Sequence, residues 1–180
     1  VKCLMLGAGH TPLERKLSVT EEPVDEWVSL DVNEDACPNI VFDLGLIEKG
    51  HFIPQSLPWE RMPEESFDEI HAYDVLEHFG QQGNYQGFFC GFRELWRILK
   101  PGGYLLGICP RYDNEWAWGD PGHTRVVTAN TLSYLTKWRY KELGTNPATD
   151  YRRFVDPCWW EVAAQEYTEH GLRFALRKVQ

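Results

Sequence analysis

Hydrophobic residues along this chain fall into short runs separated by polar and glycine-rich stretches. Five runs in the first two-thirds have strand character: 2–6 (KCLML), 26–32 (EWVSLDV), 39–44 (NIVFDL), 67–73 (FDEIHAY) and 103–110 (GYLLGICP). Several are nearly continuous in apolar side chains, the pattern of strands covered on both faces of a parallel sheet. Between the fourth and fifth runs, Phe88, Phe92, Leu95, Trp96 and Leu99 recur on one helical stripe. Arg93, Glu94, Arg97 and Lys100 fall largely opposite, which predicts a helix over 85–100. Pro101-Gly102-Gly103 is its stop signal.

A second helix is predicted over 129–138. Residues 139–157 are polar with several aromatics and read as a long loop with a helical turn. Toward the C-terminus, WWEVAAQEYT (159–168) and LRFALRKV (172–179) are strand-like, and Glu169-His170-Gly171 between them marks a hairpin. There is no internal repeat, low-complexity tract or linker. The pattern predicts one domain over 1–180, of α/β class: a Rossmann-like, doubly wound, mostly parallel sheet that ends in an antiparallel hairpin.

Composition narrows the partners. A formal net charge of −9 argues against a broad nucleic-acid surface, because phosphate contacts need clustered positive charge. Eight tryptophans among 180 residues predict either a bulky core or an aromatic-lined pocket. The five cysteines (Cys3, Cys37, Cys90, Cys109 and Cys158) form no CxxC pair and no set at zinc spacing, so no metal is expected. An odd, scattered set fits a reducing compartment. With no signal peptide and no apolar stretch of bilayer length, the expected location is the cytoplasm, without a membrane partner.

Gly7-Ala8-Gly9 follows the first apolar run directly, as in a buried strand that delivers a ligand to a tight turn. A dinucleotide site would place a third glycine where Pro12 stands, so nicotinamide and flavin dinucleotides are disfavoured, and with them an oxidoreductase. A phosphate loop ending in Gly-Lys-Ser/Thr is also absent from the sequence. Asp31 ends the second run, roughly 20 residues beyond the glycines, where an acid accepts hydrogen bonds from ribose hydroxyls. Asp43 ends the third run. Either acid alone reads equally well as a solvated loop residue; together, after a glycine turn, they point to a bound adenosine.

In order, LMLGAGH, SLDVN, VFDL, FDEIHAYDVLEHF and ELWRILKPGGYLLGICP resemble the motifs of class I S-adenosylmethionine-dependent methyltransferases. The nearest likeness is to the small bacterial and phage-type group related to methyltransferase type 11. It covers roughly residues 3–110, and the final hairpin agrees with the sixth and seventh strands of that seven-stranded fold. The resemblance implies S-adenosyl-L-methionine as cofactor. Gly7, Ala8 and Gly9 would border its methionyl end. Asp31, with Val32 beside it, would hold the ribose, Asp43 the adenine amine and Leu44 the ring face, while Ala72 and Tyr73 would line the sulfonium. The chain departs from the family at Met5, where an acid is frequent, at Thr11, where a third glycine is frequent, and in starting almost at its first strand.

Methyl transfer from a sulfonium is an in-line displacement on an activated carbon, so a protein mainly aligns the partners and manages the acceptor's proton. Asp74, Glu77 and His78 follow the fourth run, and Tyr112, Asp113, Trp116, Trp118, Asp120 and His123 follow the fifth. His123 is the first choice as base, with His78 and Asp74 next. The blander reading has His78 and Glu77 capping a helix, the tryptophans covering a core edge and His123 satisfying loop backbone. Amino-methylating enzymes of nucleic acids carry Pro-Pro and an aromatic after the fourth strand, and this chain has Tyr73-Asp74-Val75-Leu76. The expected function is methylation of oxygen or nitrogen on a small-molecule acceptor, such as a sugar or metabolite. The alternative is a catalytically inactive relative that binds the cofactor and serves as a partner or regulatory protein.

Overall fold

The computed structural model describes residues 1–44, 62–141 and 149–179. Their sheet has seven strands: β1 (Lys2–Leu6), β2 (Glu26–Asp31), β3 (Ile40–Val41), β4 (Phe67–Tyr73), β5 (Leu99–Cys109), β6 (Trp160–Tyr167) and β7 (Leu172–Lys178). The strand order is β3-β2-β1-β4-β5-β7-β6. β1 to β5 pair in parallel, while β7 runs antiparallel to both β5 and β6. Strand order reverses between β1 and β4, which opens a crevice at their carboxyl ends.

One face of the sheet carries the main core. Leu4, Leu6, Ile70, Leu105, Leu172, Phe174 and Leu176 project there and are almost fully buried. Helix α1 (Tyr85–Ile98) covers them with Phe88, Phe92, Leu95 and Ile98. Its N-terminus is capped by the Asn84 side chain, which accepts the Gly87 N–H at 2.9 Å. Gly91 is required by contact: a Cβ there would lie 1.9 Å from the Phe79 ring.

α1 ends two residues earlier than its periodicity predicts, and β5 begins at once with Leu99. Leu99 is fully buried and pairs with Phe67, and Lys100 precedes proline, which disfavours helical backbone. Pro101-Gly102-Gly103 therefore lies inside the strand. The helix expected over 129–138 is split into α3 (Ala129–Ser133) and α4 (Lys137–Lys141), after the short α2 (Trp116–Gly119). The backbone between α3 and α4 is engaged by the sheet: Trp160 N–H donates to Leu135 O at 3.1 Å and Thr136 bridges to Trp160. A last short helix, α5 (Arg152–Val155), precedes the hairpin.

The opposite face differs. The β1–β2 crossover, residues 10–25, contains no helix. It lies as a loop over a small cluster of Met5, Ala8 and Tyr73, joined by Leu13, Leu17, Trp27 and Ile108. Beneath it sits a buried polar network that a strictly apolar parallel sheet would lack.

Candidate functional site

The crevice at the strand-order reversal is an open cleft of roughly 300 Å³, at the lower end of the range of small-ligand sites. Gly7, Leu30, Asp31, Val32, Phe42, Asp43, Leu44, Asp74, Val75 and His78 line it. Gly7 and Gly9 have φ of +61° and +56°, a backbone region that costs glycine least. A Cβ on Gly7 would also come within 2.9 Å of Val75, whereas one on Gly9 would meet nothing within 4 Å. The turn thus leaves open space for a ligand beside Gly9.

Asp31 organises this turn. It is 8% exposed, and its two carboxylate oxygens accept the N–H groups of Gly9 at 2.7 Å and Asn33 at 2.8 Å. Each oxygen keeps a lone pair for a further donor. The Ala8 N–H donates to Leu30 O at 3.2 Å, so one backbone hydrogen bond and one carboxylate fix the approach of the glycine turn to β2.

The second wall is built after β4. Asp74 turns the chain with φ +54°, and its N–H donates to Ile108 O at 2.8 Å. A short 3-10 turn, Leu76–His78, follows. The segment 120–125 folds back on it: the N–H groups of Thr124 and Arg125 both donate to Glu77 O at 3.0 Å. The Arg125 guanidinium, itself buried, donates to the carbonyls of Phe79, Gln81 and Asn84 and locks the two segments together. His123 is thereby carried to within 3.8 Å of Glu77 Oε1, although 46 residues separate them in sequence. Burial pushes the Glu77 carboxyl up to about 8, with the Asp74 and Asp120 charges adding to the effect. Burial also raises the carboxyl of Asp74, against the opposing charges of Lys16, His123 and His78.

The structure brings Gly7, Asp31, Val32, Asp43, Leu44, Asp74 and His78 into one cleft, with His123 against its rim. Ala8 faces the small cluster under the 10–25 loop. Ala72 is fully buried in the main core, and the Tyr73 side chain turns away from the cleft to accept the N–H groups of Lys16 and Leu17 at 3.1 and 3.2 Å. For these two, any contribution to the cleft is through backbone. Trp116 and Trp118 are 64% and 68% exposed, so they neither cover a core edge nor wall the cleft in this arrangement. Asp113 is taken by a bidentate pair with Arg111 at 2.7 and 2.8 Å.

Leu30, Phe42 and Val75 line the cleft without having been singled out from sequence. The larger omission is the network on β4. Glu69, His71 and Tyr73 alternate along the strand, and this period-2 run of polar side chains was the available signal.

A family model described as a methyltransferase domain matches residues 47–107, of which 47–61 lie outside the described residues. No curated protein matches the chain by sequence. Among solved structures, a SAM-dependent methyltransferase from Archaeoglobus fulgidus is 15% identical with a TM-score of 0.55, covering 98% of this chain and 85% of its own. A structure of the Haloferax volcanii Trm112 methyltransferase activator in complex with a methyltransferase is 13% identical with a TM-score of 0.59, covering 99% and 83%. The N-methyltransferase NodS from Bradyrhizobium japonicum WM9, in complex with S-adenosyl-L-homocysteine, is 15% identical with a TM-score of 0.54, covering 99% and 78%. At such identities the likeness is one of fold.

Proposed function

We propose that this chain is a class I S-adenosylmethionine-dependent methyltransferase, a reading that its methyltransferase-domain match and its fold support, and that it methylates an oxygen or nitrogen of a small-molecule acceptor. The observation that carries the cofactor half is Asp31: a buried carboxylate clasping the glycine turn at the mouth of the cleft. The donor set suits the cofactor. S-adenosylmethionine has no phosphate, and the site offers a carboxylate for ribose hydroxyls, the apolar surfaces of Leu44, Phe42 and Val32 for the adenine, and Asp43 for its amine. Gly7, Ala8 and Gly9 supply the backbone of the turn beside the methionyl end. When bound, the cofactor supplies a methyl group already activated by the sulfonium charge. The protein's own task is then alignment and handling of the acceptor's proton.

Asp74, His78 and His123 form the polar side of the cleft and its rim, and the acceptor's reacting atom is assigned to them. A small acceptor fits better than nucleic acid, because the chain carries a net charge of −9. None of the helices among the described residues is long and apolar enough to cross a membrane. Cys3, Cys37, Cys90, Cys109 and Cys158 are all free thiols, in keeping with a reducing compartment, and we place the protein in the cytoplasm.

The test is calorimetric titration with S-adenosylmethionine and S-adenosylhomocysteine. Asp31→Ala should weaken binding by about 1–3 kcal/mol, the worth of charge-assisted hydrogen bonds. Unchanged affinity removes Asp31 from the cofactor site. Methyl transfer from labelled cofactor to a panel of small alcohols and amines then separates an enzyme from a cofactor-binding partner protein, which would bind tightly and transfer nothing.

A further inference from the structure

The rim of the cleft holds polar groups with hydrogen-bonding capacity left over, among them Glu77, which the methyl-transfer reading does not use. Glu77 is 2% exposed, and neither of its carboxylate oxygens has a nitrogen or oxygen partner among the described residues; its one neighbouring donor is the buried thiol of Cys109, a weak one. The His123 Nδ1 is also buried without a partner. His78 lies edge-to-face with His123, ring centroids 4.8 Å apart. Its Nδ1 is 2.8 Å from Gly122 O. A carbonyl only accepts, so Nδ1 carries the proton and Nε2 presents a lone pair.

One donor atom from each of Glu77, His78 and His123 lies within 4.8 Å of the others. His123 Nε2 is also 3.8 Å from Asp120 Oδ2. The 3.8 Å separations exceed hydrogen bonds but suit atoms sharing a central ion, whose ligand bonds of about 2.0–2.2 Å place neighbouring ligands roughly 3–4 Å apart, and a wider pair closes on the ion by drawing its side chains inward by about 1 Å. Burying a carboxylate with no partner is costly. A proton would satisfy one oxygen of Glu77 and leave the imidazole lone pairs unused, whereas a cation draws on all three side chains at once. The nearby Arg125 guanidinium is committed to backbone carbonyls. The Gly122 carbonyl that orients His78 is the kind of outer contact that metal-binding imidazoles make.

We propose that Glu77, His78 and His123 bind one divalent first-row transition-metal ion of the Zn²⁺ or Mn²⁺ kind at the rim of the cofactor cleft. Two imidazoles with a carboxylate favour such ions over Mg²⁺ or Ca²⁺, which take oxygen ligands. Three protein ligands leave positions for water or an acceptor atom. His78 also lines the cleft, so an acceptor hydroxyl there can join the ion and lose its proton more readily. That last role rests on the methyltransferase reading; the binding of the ion does not.

The experiment uses full-length protein without an affinity tag, stripped with chelator. Mn²⁺ is followed by loss of its free electron paramagnetic resonance signal, and Zn²⁺ by competition with a chromophoric chelator, both without cofactor. The expected result is one ion per chain, with affinity reduced at least tenfold in His123→Ala and in the near-isosteric Glu77→Gln, and unchanged in the surface control His170→Ala. Circular dichroism confirms that each variant is folded. Absence of stoichiometric binding of either ion, or equal affinity in wild type and both site variants, overturns the proposal. Cofactor binding by the stripped protein, measured separately, tests the methyltransferase reading alone.

Discussion

β4 leads through two buried Glu–His groupings that are chemically similar and physically opposite. Under the 10–25 loop, the Glu69 carboxylate accepts from Arg15 Nε and Nη2 at 2.8 and 2.9 Å and from His71 Nε2 at 2.9 Å. Thr20 Oγ1 adds a fourth donor at 3.2 Å. Tyr73 receives two backbone N–H groups, so its own hydrogen donates to His71 Nδ1 at 2.6 Å, and the histidine's tautomer is fixed by its neighbours. Every polar atom there has a use. A few residues on, Glu77 is as deeply buried, and His123, folded back against it, is nearly so, yet both oxygens of one and a nitrogen of the other lack a nitrogen or oxygen partner. The satisfied cluster is architecture: it ties a helix-less crossover to the sheet and so holds the glycine turn in place. The unsatisfied one has capacity left for a ligand.

The largest expected effect tests the first half of this contrast. Glu69→Ala would leave the Arg15 guanidinium and His71 without their acceptor and should cost about 3 kcal/mol of stability, read from the urea midpoint. A loss below about 1 kcal/mol would mean the network is ornamental. Tyr73→Phe comes next, at about 1–2 kcal/mol, because the Lys16 and Leu17 N–H groups lose their common acceptor. Its cofactor affinity should fall as well if the loop truly holds the turn, which binding to the refolded variant checks.

Acid sensitivity should be milder and belongs to the same cluster. Burial pushes the Glu69 carboxyl up, but the hydrogen bonds and charges of His71 and Arg15 outweigh it and hold the group below its ordinary value of 4.5. The unfolded chain then binds the proton more tightly than the folded one, so this contribution is complete above 4.5 and fades as pH falls through the lower folded value. Urea unfolding of wild type against Glu69→Gln between pH 7 and pH 3 should show a steeper loss in the wild type. Equal slopes would contradict the assignment. Least affected in stability should be His123→Ala, at about 1 kcal/mol, because the removed ring accepts from no structural donor and only its packing on His78 is lost. That variant should instead lose turnover while keeping its affinity for S-adenosylmethionine, and the reverse pattern would exchange the roles of the two clusters.

Much of the cleft was legible along the chain. β1 and β4 have the bounds that their apolar runs predict, and the glycine turn with Asp31 and Asp43 meets in one cleft because a parallel sheet brings successive strand ends to one edge. The misjudged ends, at α1 and in the split over 129–138, are places where strand pairing with Phe67 and Trp160 overrode helical periodicity. Tyr73 shows the same limit at one side chain: the resemblance, through its place at the end of the fourth strand, suggested the cleft, and the sheet's alternation aimed it at the loop.

The sequence by itself determined the class of fold, the succession of strands along the chain and the carboxylates at their ends, since periodicity and turn chemistry are local properties. Only the tertiary structure decided which buried polar groups are satisfied. That depends on segments such as 120–125 folding back on 76–78, contacts between residues more than forty positions apart that no spacing along the chain encodes.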